Sequence, residues 1–339
     1  MLKNDKVLLG HGSGGKLSHD LISGLFVKYF RNEHLDKQTD SAILEIQGGR
    51  LSFTTDSFVV DPIFFPGGDI GKLAVCGTVN DLAVSGATPL FLSAGFIIEE
   101  GFPLEDLETI VRSMAEEARK AGVSIVTGDT KVVNRGKCDK LFINTAGIGR
   151  IEDKHVHISE GSRIKPGDRI IINGSIGDHG MAVLCARKEL NIQSDIRSDC
   201  ASLNGLIGQI LSVTDGIRFM RDATRGGLAT VLAELADKKS YGITIEESQL
   251  LTGPQVRAFC ELLGFDPLYV ANEGKFVMVV DPGSADKIIE IMQCHELGKD
   301  ARIIGEISGD YPGRAWINTA IGGKRIIDML AGEQLPRIC

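Results

Sequence analysis

Four aspartates stand at the shoulders of apolar segments. Asp56 closes LSFTTD, Asp81 lies in GTVNDLAVSGATP, Asp129 closes VSIVTGD and Asp222 opens RDATRGGLATVL. Ionised carboxylates flanked by Thr, Asn and Gly are the hard oxygen ligands that Mg²⁺ prefers, and the small neighbours allow close approach. Singly, each is more often a cap or turn residue, and for Asp222 alone helix N-capping is the simpler reading. Taken together in an acidic chain, they point to a metal–nucleotide site. Near the start, Gly10 to Gly15 and then Lys16 match a P-loop up to its last position, where Leu17 replaces the hydroxyl that would hold Mg²⁺. The backbone of this loop, with Lys16, could still cradle phosphates without P-loop topology. At the other end, LPRIC closes the chain on Cys339. Cysteine in last place excludes a CaaX box. A five-residue tail spans roughly 15 Å, enough to swing a thiol between two places. The neighbouring α-carboxylate disfavours the thiolate, and Arg337 stands close enough in sequence to offset it.

The elements that must position these residues follow from periodicity. Leu17, Leu21 and Leu25, with Ile22, Phe26 and Phe30, have helical spacing. Strands are expected at 42–46, 51–55, 90–98, 123–127 and 141–148, and helices at 73–85 and from Pro103 to 121. Charge and glycine rise over 151–168, the expected junction. Beyond it come strands at 169–173, 242–246, 276–281 and 302–308, and helices at 179–188, 203–213, 225–238, 254–263 and 284–295. The expected organisation is a glycine-rich segment 1–40, a domain 41–152, a second α/β domain 153–332 and a mobile tail 333–339.

Composition bounds the partners. With 339 residues, 43% hydrophobic and 24% charged, the chain suits two globular domains. A formal charge of −8 without a basic run argues against nucleic acid. Seven cysteines without a CxxC pair argue against a disulfide framework or zinc knuckle, and for a reducing compartment. The cysteines other than Cys339 read as inert residues of apolar helices or strands. No segment has the roughly 18 apolar residues of a membrane span, and the N-terminus lacks a signal peptide's apolar core, so the expected location is cytoplasmic.

In this order, GHGSGGKL at 10–17, the long block at 54–89, GDTKVV at 128–133, RDATRGGLATVL at 221–232, NEGK at 272–275 and PRIC at 336–339 resemble the HypE family of hydrogenase maturation factors. That family is similar to aminoimidazole ribonucleotide synthetase and selenophosphate synthetase, which use ATP to activate a poorly reactive oxygen or to phosphorylate a nucleophile. The terminal PRIC is the discriminating feature. The resemblance implies a mixed α/β, two-domain synthetase-like fold. It also implies a homodimer through the N-terminal domain, with ATP between the two domains of the chain and the N-terminal segment over the phosphates.

The implied nucleotide contacts are His11, Gly12, Ser13, Gly14, Gly15, Lys16, Asp56, Lys72, Asp81, Asp129, Thr130 and Asp222, with Mg²⁺ on Asp56, Asp81, Asp129 and Asp222. The implied reaction starts when a carbamoyltransferase, HypF, loads a carboxamide onto the Cys339 sulfur. ATP then phosphorylates the amide oxygen, and loss of phosphate leaves a thiocyanate. Glu273 is the first choice of base and Lys131 a second participant, although a surface carboxylate and a phosphate contact are equally open readings of the two. The cyanide would pass to iron on a HypC–HypD scaffold. Two rivals stand beside this reading: another synthetase of the superfamily acting on a free small molecule, and a non-catalytic maturation scaffold.

Overall fold

Residues 276–280, FVMVV, are apolar without alternation, the pattern of a strand covered on both faces. The computed structural model, which describes residues 5–12, 16–37, 49–187, 194–329 and 337–338, shows this run as a fully buried strand. The first sheet is built from β1 (Arg50–Phe58), β4 (Ala87–Glu99), β5 (Ser124–Val133) and β6 (Leu141–Ile151), with the short hairpin β2 (Phe64–Phe65) and β3 (Gly68–Asp69) outside it. Its order is β1-β6-β4-β5, so β1 and β5 lie at opposite edges. The second sheet comprises β7 (Arg169–Ile172), β8 (Ile217–Asp222), β9 (Gly242–Glu246), β10 (Phe276–Val280), β11 (Arg302–Ser308), β12 (Ala315–Asn318) and β13 (Lys324–Ile327), in the order β13-β12-β9-β11-β7-β10-β8. Val277 and Val279 enter one core layer while Phe276, Met278 and Val280 enter another, so each side of β10 is covered.

The N-terminal segment runs as α1 (Lys16–Leu21), a π-helical turn (Ile22–Val27) and α2 (Lys28–Phe30). Its apolar stripe buries Leu21, Leu25, Phe26 and Phe30, with the Phe26 ring 4.8 Å from that of Phe96 on β4. The expected strand at 42–46 lies outside the described residues. Next come α3 (Ile70–Val84) and α4 (Leu104–Ala121). Asp69 caps α3 by accepting the N–H groups of Gly71 and Lys72. This helix is apolar nearly all round and is buried along its length, packed on β1, β6 and α4 on one side and on β8 on the other. It therefore carries Asp81 to the seam between the two halves.

The second half adds α5 (Asp178–Cys185), α6 (Asn204–Val213), α7 (Gly227–Ala236), α8 (Pro254–Leu263) and α9 (Pro282–Gln293). Leu228 and Leu232 of α7 cover one face of the second sheet, while Leu206 and Ile210 of α6 and Ile288 and Met292 of α9 cover the other. Among the described residues, no helix is long and apolar enough to cross a membrane. Two cysteines depart from expectation: Cys138 is half-buried in a turn and Cys294 is exposed just past α9, whereas Cys76, Cys185, Cys200 and Cys260 are buried.

Candidate functional site

Asp56 is not the end of its strand: β1 continues to Phe58, and Asp56 pairs in register with the buried Thr145 of β6, facing α3. One carboxylate oxygen of Asp56 accepts the Ser57 N–H at 2.8 Å and lies 3.6 Å from an Arg225 nitrogen. Opposite it on α3, Gly77 leaves room that a Cβ would take, since that atom would stand 2.9 Å from the Phe58 ring and 3.6 Å from Asp56 Oδ2. One turn on, Asp81 Oδ2 accepts the Thr54 hydroxyl at 2.8 Å. Asp222 is not a helix cap either. It closes β8 opposite Phe276, and the chain then turns into α7 at Gly226 and Gly227, its N-cap and first residue, both at positive φ. At Gly227 a Cβ would meet the Leu268 carbonyl at 2.4 Å, so this turn requires glycine.

The three carboxylates repel one another. Burial first, then the charges of Asp81 and Asp56, push the Asp222 carboxyl up to about 7. Asp56 and Asp81 are raised as well, chiefly by burial. Glu273, only 3% exposed, adjoins this group. Burial and then the charges of Asp222, Asp199 and Asp56 hold its carboxyl well above the usual range, and its Oε1 has no hydrogen-bond partner among the described residues. Its main chain is fixed by residues that sequence reasoning missed. Asp199 accepts the N–H groups of Glu273 and Gly274 at 3.1 and 3.2 Å and the Lys275 ammonium at 3.0 Å, while Asn80 donates to the Glu273 carbonyl at 3.2 Å. Asn80 precedes Asp81 in the chain, which was the one local signal available.

Asp129 and Lys131 stand apart from this group. β5 also continues past Asp129, to Val133. In register with β4, Asp129 and Lys131 align with Gly95 and Ile97, on the opposite face of the first sheet from Thr130, Phe96 and, across the sheet, Asp56. The two side chains are largely exposed and lie 3.5 Å from each other. They rim a cavity of about 240 Å³, roofed by Ile22 and Phe26 of the N-terminal segment.

Among the described residues, no strand precedes the glycine loop. Residues Leu9–Gly12 form a 3₁₀ turn, so the strand–loop–helix context of a P-loop is absent. His11 is buried, its Nδ1 accepts the Leu8 N–H at 2.9 Å, and burial lowers its pKa. Lys72, in the first turn of α3, donates to the Gly67 carbonyl at 3.2 Å. Ser13, Gly14, Gly15 and Cys339 lie outside the described residues, and of Gly12 and Lys16 only the backbone is described.

Of the tail, Arg337 and Ile338 are seated against the body of the molecule. Ile338 is 3% exposed and belongs to the same core layer as Phe65, Val183, Cys200 and Ala271. His179 Nε2 donates to its carbonyl at 2.9 Å, and His179 Nδ1 meets the Ser198 hydroxyl at 2.7 Å. Three consecutive residues thus link the tail to the acidic group: Ser198 backs the histidine that holds Ile338, Asp199 clamps the Glu273 loop, and Cys200 lies close enough to feel the charge of Glu273. Cys339 is the next residue in the sequence after Ile338.

The N-terminal domain family of AIR synthase related proteins matches residues 38–151, and the C-terminal domain family matches residues 165–317. The carbamoyl dehydratase HypE of Azotobacter vinelandii is 49% identical over 338 residues, 100% of this chain and 98% of the relative. A crystal structure of the hydrogenase maturation protein HypE in complex with ATP superposes with a TM-score of 0.93 at 47% identity, covering 98% of this chain and 99% of the other. A chain from a crystal structure of a HypE–HypF complex is also similar, at 51% identity and a TM-score of 0.78, covering 91% of this chain and 99% of that one.

Proposed function

The chain belongs to the carbamoyl dehydratase HypE family of the AIR synthase related proteins, and from that premise we propose that it dehydrates a carboxamide carried on its own Cys339 sulfur. The amide oxygen attacks the γ-phosphorus of ATP and ADP departs. Phosphate then leaves carbon as the nitrogen gives up its protons, and S–C(=O)–NH₂ becomes S–C≡N. Phosphorylation is needed because an amide oxygen is a poor leaving group in water. Glu273 is the base we favour: burial and the neighbouring carboxylates raise its proton affinity, which suits it to take a proton from nitrogen. Lys131, on the outer face of the first sheet, is the second participant in this reading and would reach the carboxylates from a second copy of the chain.

Asp56, Asp81 and Asp222 suit Mg²⁺. They are hard oxygen donors crowded together, and even with Arg225 and Arg221 nearby the rise at Asp222 marks negative charge in need of a counter-ion. Among the described residues no three such side chains make a cage by themselves. A cation there would take its remaining ligands from phosphates and water. Bound there, the ion would neutralise charge developing on the transferred phosphoryl group.

The observation that carries this reading is the seating of Ile338, through residues 198–200, beside the loop of the buried Glu273. In the same reading, segment 1–40 covers the nucleotide, domains 41–152 and 153–332 bracket it, and the tail 333–339 carries the substrate. The carboxamide comes from a HypF-type carbamoyltransferase, and the cyanide passes to iron on a HypC–HypD scaffold, in the cytoplasm, for [NiFe]-hydrogenase assembly. A second copy pairs through the outer face of the first sheet, where Leu51 and Phe53 are 53% and 70% exposed. Such pairing can bring Asp129 and Lys131 of one copy toward the carboxylates of the other. Incubation with the carbamoylating partner, ATP and Mg²⁺, followed by intact mass, tests the reaction. The expected result is addition of a carboxamide and then loss of one water, with neither change in Cys339→Ala. Carbamoylation without water loss would refute it.

A further inference from the structure

The hydrogen bonds that hold Ile338 and the Arg337 backbone are made to main-chain carbonyls. Because a carbonyl only accepts, the 2.9 Å bond to Ile338 fixes the proton of His179 on Nε2. Its Nδ1 is then the acceptor of the Ser198 hydroxyl, whose oxygen itself accepts the Cys200 N–H at 3.0 Å. The Phe65 ring meets the imidazole edge-on, with centroids 5.5 Å apart. Complete burial keeps the ring neutral. One residue earlier, the Arg337 carbonyl accepts the Asp61 N–H at 3.1 Å and Arg187 Nη2 at 3.3 Å, while Arg187 Nε donates to the Asp61 carbonyl at 3.1 Å. The Arg337 guanidinium pairs with Asp139.

We propose that His179, oriented by Ser198, is a positioning residue that latches the tail inward through the Ile338 carbonyl and so sets where the Cys339 sulfur stands during dehydration. The latch reads an atom that does not change through the cycle, so it holds thiol, carboxamide and thiocyanate alike. It is also weak enough to open, since a neutral hydrogen bond of this kind biases an equilibrium by roughly tenfold. The same tail can therefore leave for the carbamoylating partner and return. This role rests on the dehydration proposed above.

The test uses full-length protein, wild type and the variants His179→Leu, His179→Gln and Ser198→Ala, each with its melting temperature measured. Two rates are followed by mass spectrometry: loading of Cys339 by the carbamoylating partner, and single-turnover loss of water after ATP and Mg²⁺ are added. A third, iodoacetamide labelling of Cys339 assigned on its own peptide, needs neither partner nor nucleotide. For His179→Leu we expect water loss to slow about tenfold or more, loading to be unchanged or faster, and labelling to quicken. His179→Gln, which can donate from a similar position, should recover most of the loss, and Ser198→Ala should fall between. Wild-type rates in His179→Leu, or equal slowing of loading and water loss, would overturn the latch. If wild type itself loads but never loses water, the dehydration reading fails. The labelling rates then still decide the latch, which falls if wild type and His179→Leu label equally fast.

Discussion

At Asp222 and Glu273 the same physics, acids buried together, leads to opposite uses. Asp222 titrates in the folded protein at about 7, well above its ordinary 3.8. Between those values the folded chain holds a proton that the unfolded chain has lost, so stability falls as pH rises through this window and stays low above 7. Asp222→Asn removes the penalty. Without ligand, its melting temperature at pH 8 should exceed that of wild type by a few degrees, and the gap should narrow as pH falls and close only near the ordinary value of 3.8, as thermal scans across this range will show. The same variant should lose most of its affinity for Mg²⁺–ATP, read by titration calorimetry, because it deletes a proposed ligand. Wild-type affinity should itself tighten as pH rises through about 7. Glu273→Gln separates the two roles. The acid it replaces is held well above the usual range, so an isosteric neutral amide should leave the melting temperature near wild type. Loss of water from the carbamoylated tail should nonetheless slow by about 10²-fold or more, the usual contribution of a positioned base. An unchanged rate would reassign the base.

The loop that carries Glu273 shows where element-scale reasoning succeeds and stops. Strands β4 and β10 and helices α3 and α4 are legible from periodicity, because each buries a long apolar set, and β1 is legible from the alternation of LSFTT. β8 is not: IRFMRD keeps no period-2 alternation over its six residues, too weak a signal at a sheet edge. The same stretch suggests a cap at Asp222 because a helix follows, and only Gly226 and Gly227 reveal the turn between them. His179 and Asp199 carry no local mark at all. Their importance comes from tertiary neighbours more than seventy positions away, in Asp199's case, or at the far end of the chain, in His179's. Asp199 and Lys275, 6% and 12% exposed, form a buried ion pair that ties the loop down. The packing here is tight: a Cβ at Gly274 would lie 1.9 Å from the Asp199 carbonyl oxygen. Gly274→Ala must therefore displace the loop. It should lower the melting temperature by several degrees and slow water loss at least as much as Glu273→Gln does. Loading of Cys339 by the partner enzyme should be spared.

For the whole molecule, the gap between the two sets of predicted site residues is informative. Asp56, Asp81, Asp222 and Glu273 converge at the seam between the sheets, whereas Asp129 and Lys131 project from the far edge of the first sheet and from its other face. Sequence spacing could not show this, because face and edge are decided by strand order. Within one chain, Lys131 has its back to the carboxylates. The exposed Leu51 and Phe53 lie on β1, on the same outer face, and a two-fold axis pairing these faces would set β5 of one copy toward β1 of the other. The proposed homodimer would then hold two composite sites, each built from both chains. Phe53→Asp should produce a monomer by analytical ultracentrifugation and abolish water loss without unfolding either sheet. Mixing offers the sharper measurement. Lys131→Ala and Asp81→Asn homodimers should each be inactive alone, but subunit exchange places one intact composite site in every mixed dimer. Activity should therefore appear on mixing, at a fraction of the wild-type level. If the two inactive variants stay inactive after exchange is verified by mass, Lys131 must act within its own chain, and the outer face has some other purpose.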